Sequence, residues 1–436
     1  MVSGVLFCFF WAKAIAACGF SAKPAELLKL KRRERNNMRD LKHLIFFEKL
    51  LQETNNDLVK QACAEGRLAL GWDCSYIPEV LLDIEGCFGV RLRAPGCTSP
   101  DMATYYMTTR SCPYSKSILE RAFEGGYNFL SALIGQECCT TMNRMEQYFE
   151  YCELIPNDKF FVACLDMPIR KTEWHAGYFR RQIEQKIVQP LQETYGVDFS
   201  EEQLLKAIAQ HNEVCRIITE IGNLRKAENP VITGYEFHVL QLVSQTCPKD
   251  LILPYLRETL EELKTREPDP KPWYRARILV AGSEIDDPEF TRMLEMAGGM
   301  VVADRYCFGS LPGRGEIALE EGKDALQCIA DHYMWENQCP RAMGTENIIA
   351  RKRYLFKLAE EYKADGIILE NMKFCEYWGY ERAQDGMWFY EGYNLPKSIP
   401  VCQIEKDYTS AASGQLRTRF QAFIESLEIK QIQANQ

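Results

Sequence analysis

The chain has 436 residues and a net charge of −9, which leaves no basic field for a nucleic-acid partner. Hydrophobic residues make up 46% and charged residues 26%, the composition of a globular protein long enough for two or three cores. Its 18 cysteines are unusual for a cytosolic enzyme, and their irregular spacing in so long a chain excludes a small disulfide scaffold.

Residues 5–18 form a short apolar run that Lys13 interrupts, and the basic stretch Lys29–Arg35 follows it. That charge order is wrong for a secretory signal, and the run is too short to span a bilayer. Residues 1–37 are therefore read as an extension outside the fold, and the protein as cytoplasmic with no membrane segment. From Met38 to about Gly66 the pattern is helical, with Leu41, Leu44, Ile45, Lys49 and Leu50 near one stripe. Ser75–Glu79 opens a second helix, with Pro78 in its first turn and Glu79 at the positive end of the dipole. It closes at Gly86 and leads to a strand at Gly89–Leu92.

Next come a helix at Ser115–Phe123, a buried strand at Phe129–Gly135, a helix at Met142–Tyr151 and a strand at Phe160–Leu165. Trp174–Glu267 is a series of amphipathic helices punctuated by Pro190, Gly222, Pro230 and Pro254, and Glu267–Pro272 is a linker. The second half has a strand at Ile278–Ala281, a turn at Gly282–Asp287, a helix at Pro288–Met296 and a strand at Met300–Ala303. A helix at Asn347–Tyr362, strands at Gly366–Leu369 and Ile399–Ile404, and a helix from Gly414 through Leu427 complete it.

The halves rhyme. Pro78–Glu79 before the strand ending at Leu92 matches Pro288–Glu289 before the strand ending at Val302, and Cys139 and Cys375 each follow a strand. The expected fold class is α/β: two Rossmann-like doubly wound parallel-sheet domains, 38–266 and 267–436, the first with additional long helices. Ligands of such sheets sit beyond the carboxyl ends of the strands, where those two cysteines fall.

Three cysteines stand out by context. Cys112 lies in a polar loop before a helix, and Cys139 and Cys375 lie at strand-to-helix turns. A helix N-terminus favours the thiolate that binds iron. The plainer reading of any single one is a buried small hydrophobe, and spacing alone does not show that they meet. No local C-x-x-C run of the ferredoxin kind and no paired histidines accompany them.

Several segments carry a family resemblance: SCPYSKS at 111–117, Cys139–Met142 after an apolar strand, GSEIDDPEF at 282–290, KFCE at 373–376, and DYTSAASGQLRTRFQAFIE at 407–425. Together they resemble the (R)-2-hydroxyacyl-CoA dehydratase and benzoyl-CoA reductase subunits over about residues 65–430. The resemblance implies a [4Fe–4S] cluster held by Cys112, Cys139 and Cys375, with one iron left open. Cys138 is a departure, because relatives usually have one cysteine where this chain has two; the distance to Met142 favours Cys139. The resemblance further implies a homologous sister subunit and a separate ATP-hydrolysing iron–sulfur activator that delivers one electron at low potential. The acyl-CoA substrate would be reduced at its thioester to a ketyl radical. Two alternatives remain open: a double-cubane reductase of small molecules, with further ligands drawn from Cys74, Cys97, Cys307 and Cys339, and a non-catalytic scaffold subunit.

Gln415 and Arg417, near the start of the last helix, are substrate-side candidates, with helix capping and surface charge as the plainer reading. Arg351, Lys352 and Arg353 are a possible contact for CoA phosphates, or a solvated helix face. Asp286 and Asp287 cap a helix or bind a cation, and the five histidines have no metal spacing.

Overall fold

The computed structural model describes residues 40–137, 139–310, 315–391, 398–408 and 413–434. The expected extension at 1–37 and Cys138 lie outside the described residues. The first half forms a four-stranded parallel sheet from β1 (Leu68–Trp72), β2 (Cys87–Arg91), β3 (Ala132–Gln136) and β4 (Phe161–Leu165), in the order β2-β1-β3-β4. The second half repeats that order with β5 (Ala276–Gly282), β6 (Gly299–Tyr306), β7 (Gly366–Met372) and β8 (Val401–Lys406), arranged β6-β5-β7-β8. The two-sheet α/β class read from the sequence is the observed one. The matching strand order extends the weak repeat from residues to topology.

The central strands are apolar throughout because helices cover both faces; every residue of β5 and of β7 is buried. In both halves the order reverses about the first strand, so the crevice at that switch point opens beyond the carboxyl ends of the central strands.

Some expectations need correcting. β1 was not anticipated, because LALGW is short and carries a glycine. The helix expected from Ser75 to Gly86 is one 3-10 turn, Glu79–Asp83. Its carboxylates turn inward to Lys249, whose ammonium lies 2.5 Å from Asp83 and 3.7 Å from Glu79. The stretch 38–66 is two helices, Leu44–Leu50 and Asp57–Ala64, because the Asn56 side chain accepts from the Leu58 and Val59 amides and starts the second. Helices Asp101–Met107 and Ala325–Trp335 were also missed. Pro254 does not punctuate; it sits inside helix Lys249–Thr265.

No helix or strand occupies residues 266–275, yet the halves are not loosely tethered. One apolar cluster runs from Leu41 through Phe237 and Leu240 to Ile278 and Phe420. Arg91, at the end of β2 and fully buried, reaches into the second half. It donates to the Cys307 carbonyl at 2.7 Å and the Gln245 side chain at 3.0 Å, approaches Glu284 at 3.3 Å, and lies over the Phe308 ring at 3.7 Å. Arg93 donates twice to the Asp286 carbonyl, at 3.0 and 2.6 Å, and once to Leu51. Both arginines therefore grip the segments that follow β5 and β6.

Replacing Arg91 with Leu leaves Gln245 and Glu284 without their cation. It should destabilise the protein by about 3–5 kcal/mol in anaerobic denaturant titration. A change below about 1 kcal/mol would show that the halves do not depend on this contact.

Candidate functional site

Cys112 is the N-cap of helix Pro113–Phe123, and Cys139, after β3, is the N-cap of helix Thr140–Tyr151. Cys375 follows β7 and directly precedes helix Glu376–Glu391. Between β7 and Cys375, Phe374 adopts a left-handed conformation with φ 60°. Such a turn costs about 1–3 kcal/mol in a non-glycine residue and reverses the chain sharply enough to start a helix at once.

The thiols of these three residues lie within electrostatic reach of one another. Burial pushes the Cys112 thiol up to about 12, against hydrogen bonds from nearby backbone amides, and a charge on Cys139 adds to the rise. Burial also raises the Cys375 thiol well above its ordinary value, and charges on Cys112 and Cys139 both push it further. The helix N-termini were expected to favour thiolates, but desolvation outweighs them.

A second group was named in the sequence only as a reserve of ligands. Burial pushes Cys339 up to about 12, with Cys74 adding to the rise and Arg351 and Arg341 opposing it. Burial raises Cys307 well above its usual value, with Glu284, Cys339 and Cys74 contributing further. Cys74, Cys307 and Cys339 are therefore close together at the ends of β1 and β6 and in the segment before helix Thr345–Glu361. The two groups adjoin. Cys307 packs with Trp378, and Cys375 packs against that pair, while the charge of Glu284 acts on both Cys112 and Cys307. Cys97 belongs to neither group; its neighbours are Ser117, Glu120, Arg121 and Glu124.

Among the described residues no two cysteines form a disulfide. Among the described residues no three His, Cys, Asp or Glu side chains are placed to hold a single metal ion. An iron–sulfur cluster makes a different demand, one thiolate on each of several irons, and so spaces its ligands more widely. The donor chemistry fits such a group. Buried thiols that resist ionisation and repel one another as thiolates become stable anions when a cationic centre neutralises them.

The other candidates fall as follows. Gln415 and Arg417 are exposed on the last helix, with Leu416 and Phe420 turned into the core. Arg351 and Lys352 form neither a CoA contact nor a solvated face: both are buried in ion pairs with Glu381, and only Arg353 is exposed. Asp287 caps its helix by accepting from the Glu289 amide at 3.0 Å, and the Tyr408 hydroxyl donates to Asp286 at 2.5 Å. The histidines His211 and His238 are core residues. Burial lowers His238 to about 4 and His211 to about 3.

Two features escaped sequence reading because they form only in the fold. Asp73, just after β1, and Glu146, on helix Thr140–Tyr151, are a buried carboxyl pair, in which burial and then the charge of Glu146 raise Asp73 well above the carboxylate range. Gly135 makes room for the pair, since a Cβ there would lie 2.3 Å from the Glu146 carboxyl carbon. Separately, a cavity of about 380 Å³ lies between helix Glu201–Asn223 and helix Thr345–Glu361, lined by Glu79, Arg225, Lys249, Asp304, Glu316 and Glu336. Its carboxylates outnumber its cations, and both cations are already paired, Lys249 with Asp83 and Arg225 with Asp304. That is the wrong sign for the phosphates of CoA.

The fold and these thiols define a two-sheet protein with cysteines from both halves gathered in two adjoining groups. Comparison with known proteins gives the class. The 2-hydroxyglutaryl-CoA dehydratase, D-component, family matches residues 74–427. The chain is similar to the (R)-phenyllactyl-CoA dehydratase beta subunit of Clostridium sporogenes, with 26% identity over 87% of this chain and 97% of that one. It is also similar to the lactoyl-CoA dehydratase subunit beta of Anaerotignum propionicum, with 22% identity over 83% and 92% of the two chains. The (R)-2-hydroxyglutaryl-CoA dehydratase subunit beta of Acidaminococcus fermentans shares 23% identity over 87% and 98%. The chain belongs to this family of dehydratase subunits. Among the described residues no helix is long and apolar enough to cross a membrane.

In metal-free folded protein at pH 8, a Cys112 thiol raised from 9.0 to about 12 holds roughly a thousandfold less thiolate than in the unfolded chain. Iodoacetamide should therefore modify it at least that much more slowly, as read by peptide mass spectrometry. The stabilisation tied to the neutral thiol is complete below about pH 9 and is lost as pH climbs towards 12. Equal labelling rates in folded and unfolded protein would contradict the burial.

Proposed function

We propose that this chain is an iron–sulfur catalytic subunit of the (R)-2-hydroxyacyl-CoA dehydratase type, holding a [4Fe–4S] cluster on Cys112, Cys139 and Cys375. The observation that carries the reading is the mutual influence of these three thiols, contributed by loops from both halves at the carboxyl ends of parallel strands. The names of the related subunits support a 2-hydroxyacyl-CoA thioester as substrate and dehydration as the reaction. Their designation as beta subunits supports a sister subunit alongside this one. Electrons would come from a separate ATP-hydrolysing activator, because reducing a thioester carbonyl to a ketyl is strongly uphill.

When bound, the cluster would supply one electron at low potential and a Lewis-acidic iron for the departing hydroxyl. The chain's own residues do the remaining work. Burial of the cysteine loops keeps water from the reacting radical. Asp73 and Glu146, a buried carboxyl pair beside Cys74 in which burial favours a held proton, would be a source of acid. Arg91 fixes the Cys307 carbonyl and the Glu284 side chain against movement of the halves.

A second reading is favoured by the adjoining thiols Cys74, Cys307 and Cys339. Six ligands would suit a double-cubane reductase of small molecules, and Arg91, Arg341 and Arg351 would offset the added negative charge.

Iron analysis after anaerobic purification separates the readings: about four irons per chain for a single cubane and about eight for two. Replacing Cys375 with Ser should lower iron content and abolish turnover by the reconstituted complex under either reading. Replacing Cys307 with Ser should leave iron unchanged for a single cubane and remove about half of it for two. An iron-free protein from strictly anaerobic work would end both. Full iron and full turnover in the Cys375 variant would instead make the chain a scaffold.

A further inference from the structure

Behind the two thiol groups lies an ionic network with almost no solvent contact. Arg305 on β6, Arg351 and Lys352 on helix Thr345–Glu361, and Glu381 and Asp385 on helix Glu376–Glu391 are each 3% exposed or less. Arg351 holds the Glu381 carboxylate in a two-pronged contact at 2.9 and 3.0 Å. Lys352 pairs with Asp385 and lies 3.2 Å from Glu381. Arg305 is 3.5 Å from Glu381 and 3.4 Å from Asp385. Burial opposes the charge on Glu381, but the Arg351 hydrogen bonds, with Arg305 and Lys352, hold it down to about 2, so it is ionised.

Among the described residues, three cations of this network thus face two carboxylates, which leaves one positive charge over. The Arg305 guanidinium carries the deficit in hydrogen bonds: among the described residues its Nε and Nη1 have no acceptor. A buried cation so poorly matched is unfavourable on its own and points to a negative neighbour. Its surroundings indicate where that neighbour is. Arg305 lies over the ring of Trp378 at 5.5 Å, and Trp378 packs with Cys307 and Cys375, one thiol from each group. At the other end of the network, Arg351 acts on Cys339.

We propose that this network is the counter-charge of the iron–sulfur group, with Arg305 acting as a positioning residue that raises its reduction potential across Trp378. The inference rests on the reading that the thiols hold such a group. Its physical basis is that each added electron increases negative charge at the cleft, and an unmatched cation in a water-poor interior favours the reduced form.

The test is an EPR-monitored redox titration of the anaerobically isolated holoprotein and three variants. Arg305→Met should lower the reduced-to-oxidised ratio at fixed poise about tenfold, which is 59 mV for one electron. Arg305→Lys, which keeps the charge, should titrate close to wild type. Asp385→Asn, nearly isosteric and one negative charge poorer, should move the midpoint the opposite way. General damage to the fold would lower iron content without producing shifts of opposite sign. If Arg305→Met does not fold, Asp385→Asn decides alone, and an unchanged or lowered midpoint there overturns the proposal. Identical midpoints in iron-replete variants overturn it while leaving the cluster reading intact. Wild-type protein without iron overturns that reading, and this inference with it.

Discussion

The structure depends on one constraint: segments from both halves must be held together at the carboxyl ends of two separate parallel sheets. Arg91 and Arg93 meet it. Two guanidiniums leave the end of β2 and bind backbone carbonyls that follow β5 and β6. Fixed carbonyls satisfy a buried arginine without a full ion pair, so the cleft is braced by geometry more than by charge. With that brace in place, the loops bearing cysteines have a defined position to fold into.

The second principle is a contest between local and global electrostatics. Cys112 and Cys139 sit at helix N-termini, where the macrodipole favours an anion, yet burial leaves Cys112 protonated across the physiological range. A thiol group of this kind does not attack as a nucleophile at neutral pH. It can be converted by a metal, whose charge far exceeds half an elementary charge at a helix end. The surrounding cations, Arg91, Arg341 and Arg351, are themselves anchored in hydrogen bonds and ion pairs, so they cannot swing away as the charge of the site changes.

The fold was legible because its strands are apolar runs and its helices follow them in regular alternation. FFVACL and GIIL read as strands, and strands Phe161–Leu165 and Gly366–Met372 form there. What failed was short or tertiary. β1 is five residues interrupted by glycine, and Pro254 is tolerated where local rules place a break. Arg351 and Lys352 looked solvated because the sequence cannot show that Glu381 and Asp385, a helix away, meet them in the interior. For the site, context around Cys112, Cys139 and Cys375 singled out three thiols that lie within electrostatic reach of one another. Cys74, Cys307 and Cys339 were named without a reason to prefer them over Cys97, because nothing in their spacing shows that β1 and β6 end side by side.

Each thiol group draws on both halves in opposite proportion. Cys112 and Cys139 come from the first half and Cys375 from the second, whereas Cys74 comes from the first and Cys307 and Cys339 from the second. Neither half alone carries a complete set of three. A hinge motion that parted the sheets would strip donors from both groups at once. A break at residues 266–275 would divide both thiol groups between two pieces, so on the iron–sulfur reading proposed above cofactor retention would report on the closure of the halves.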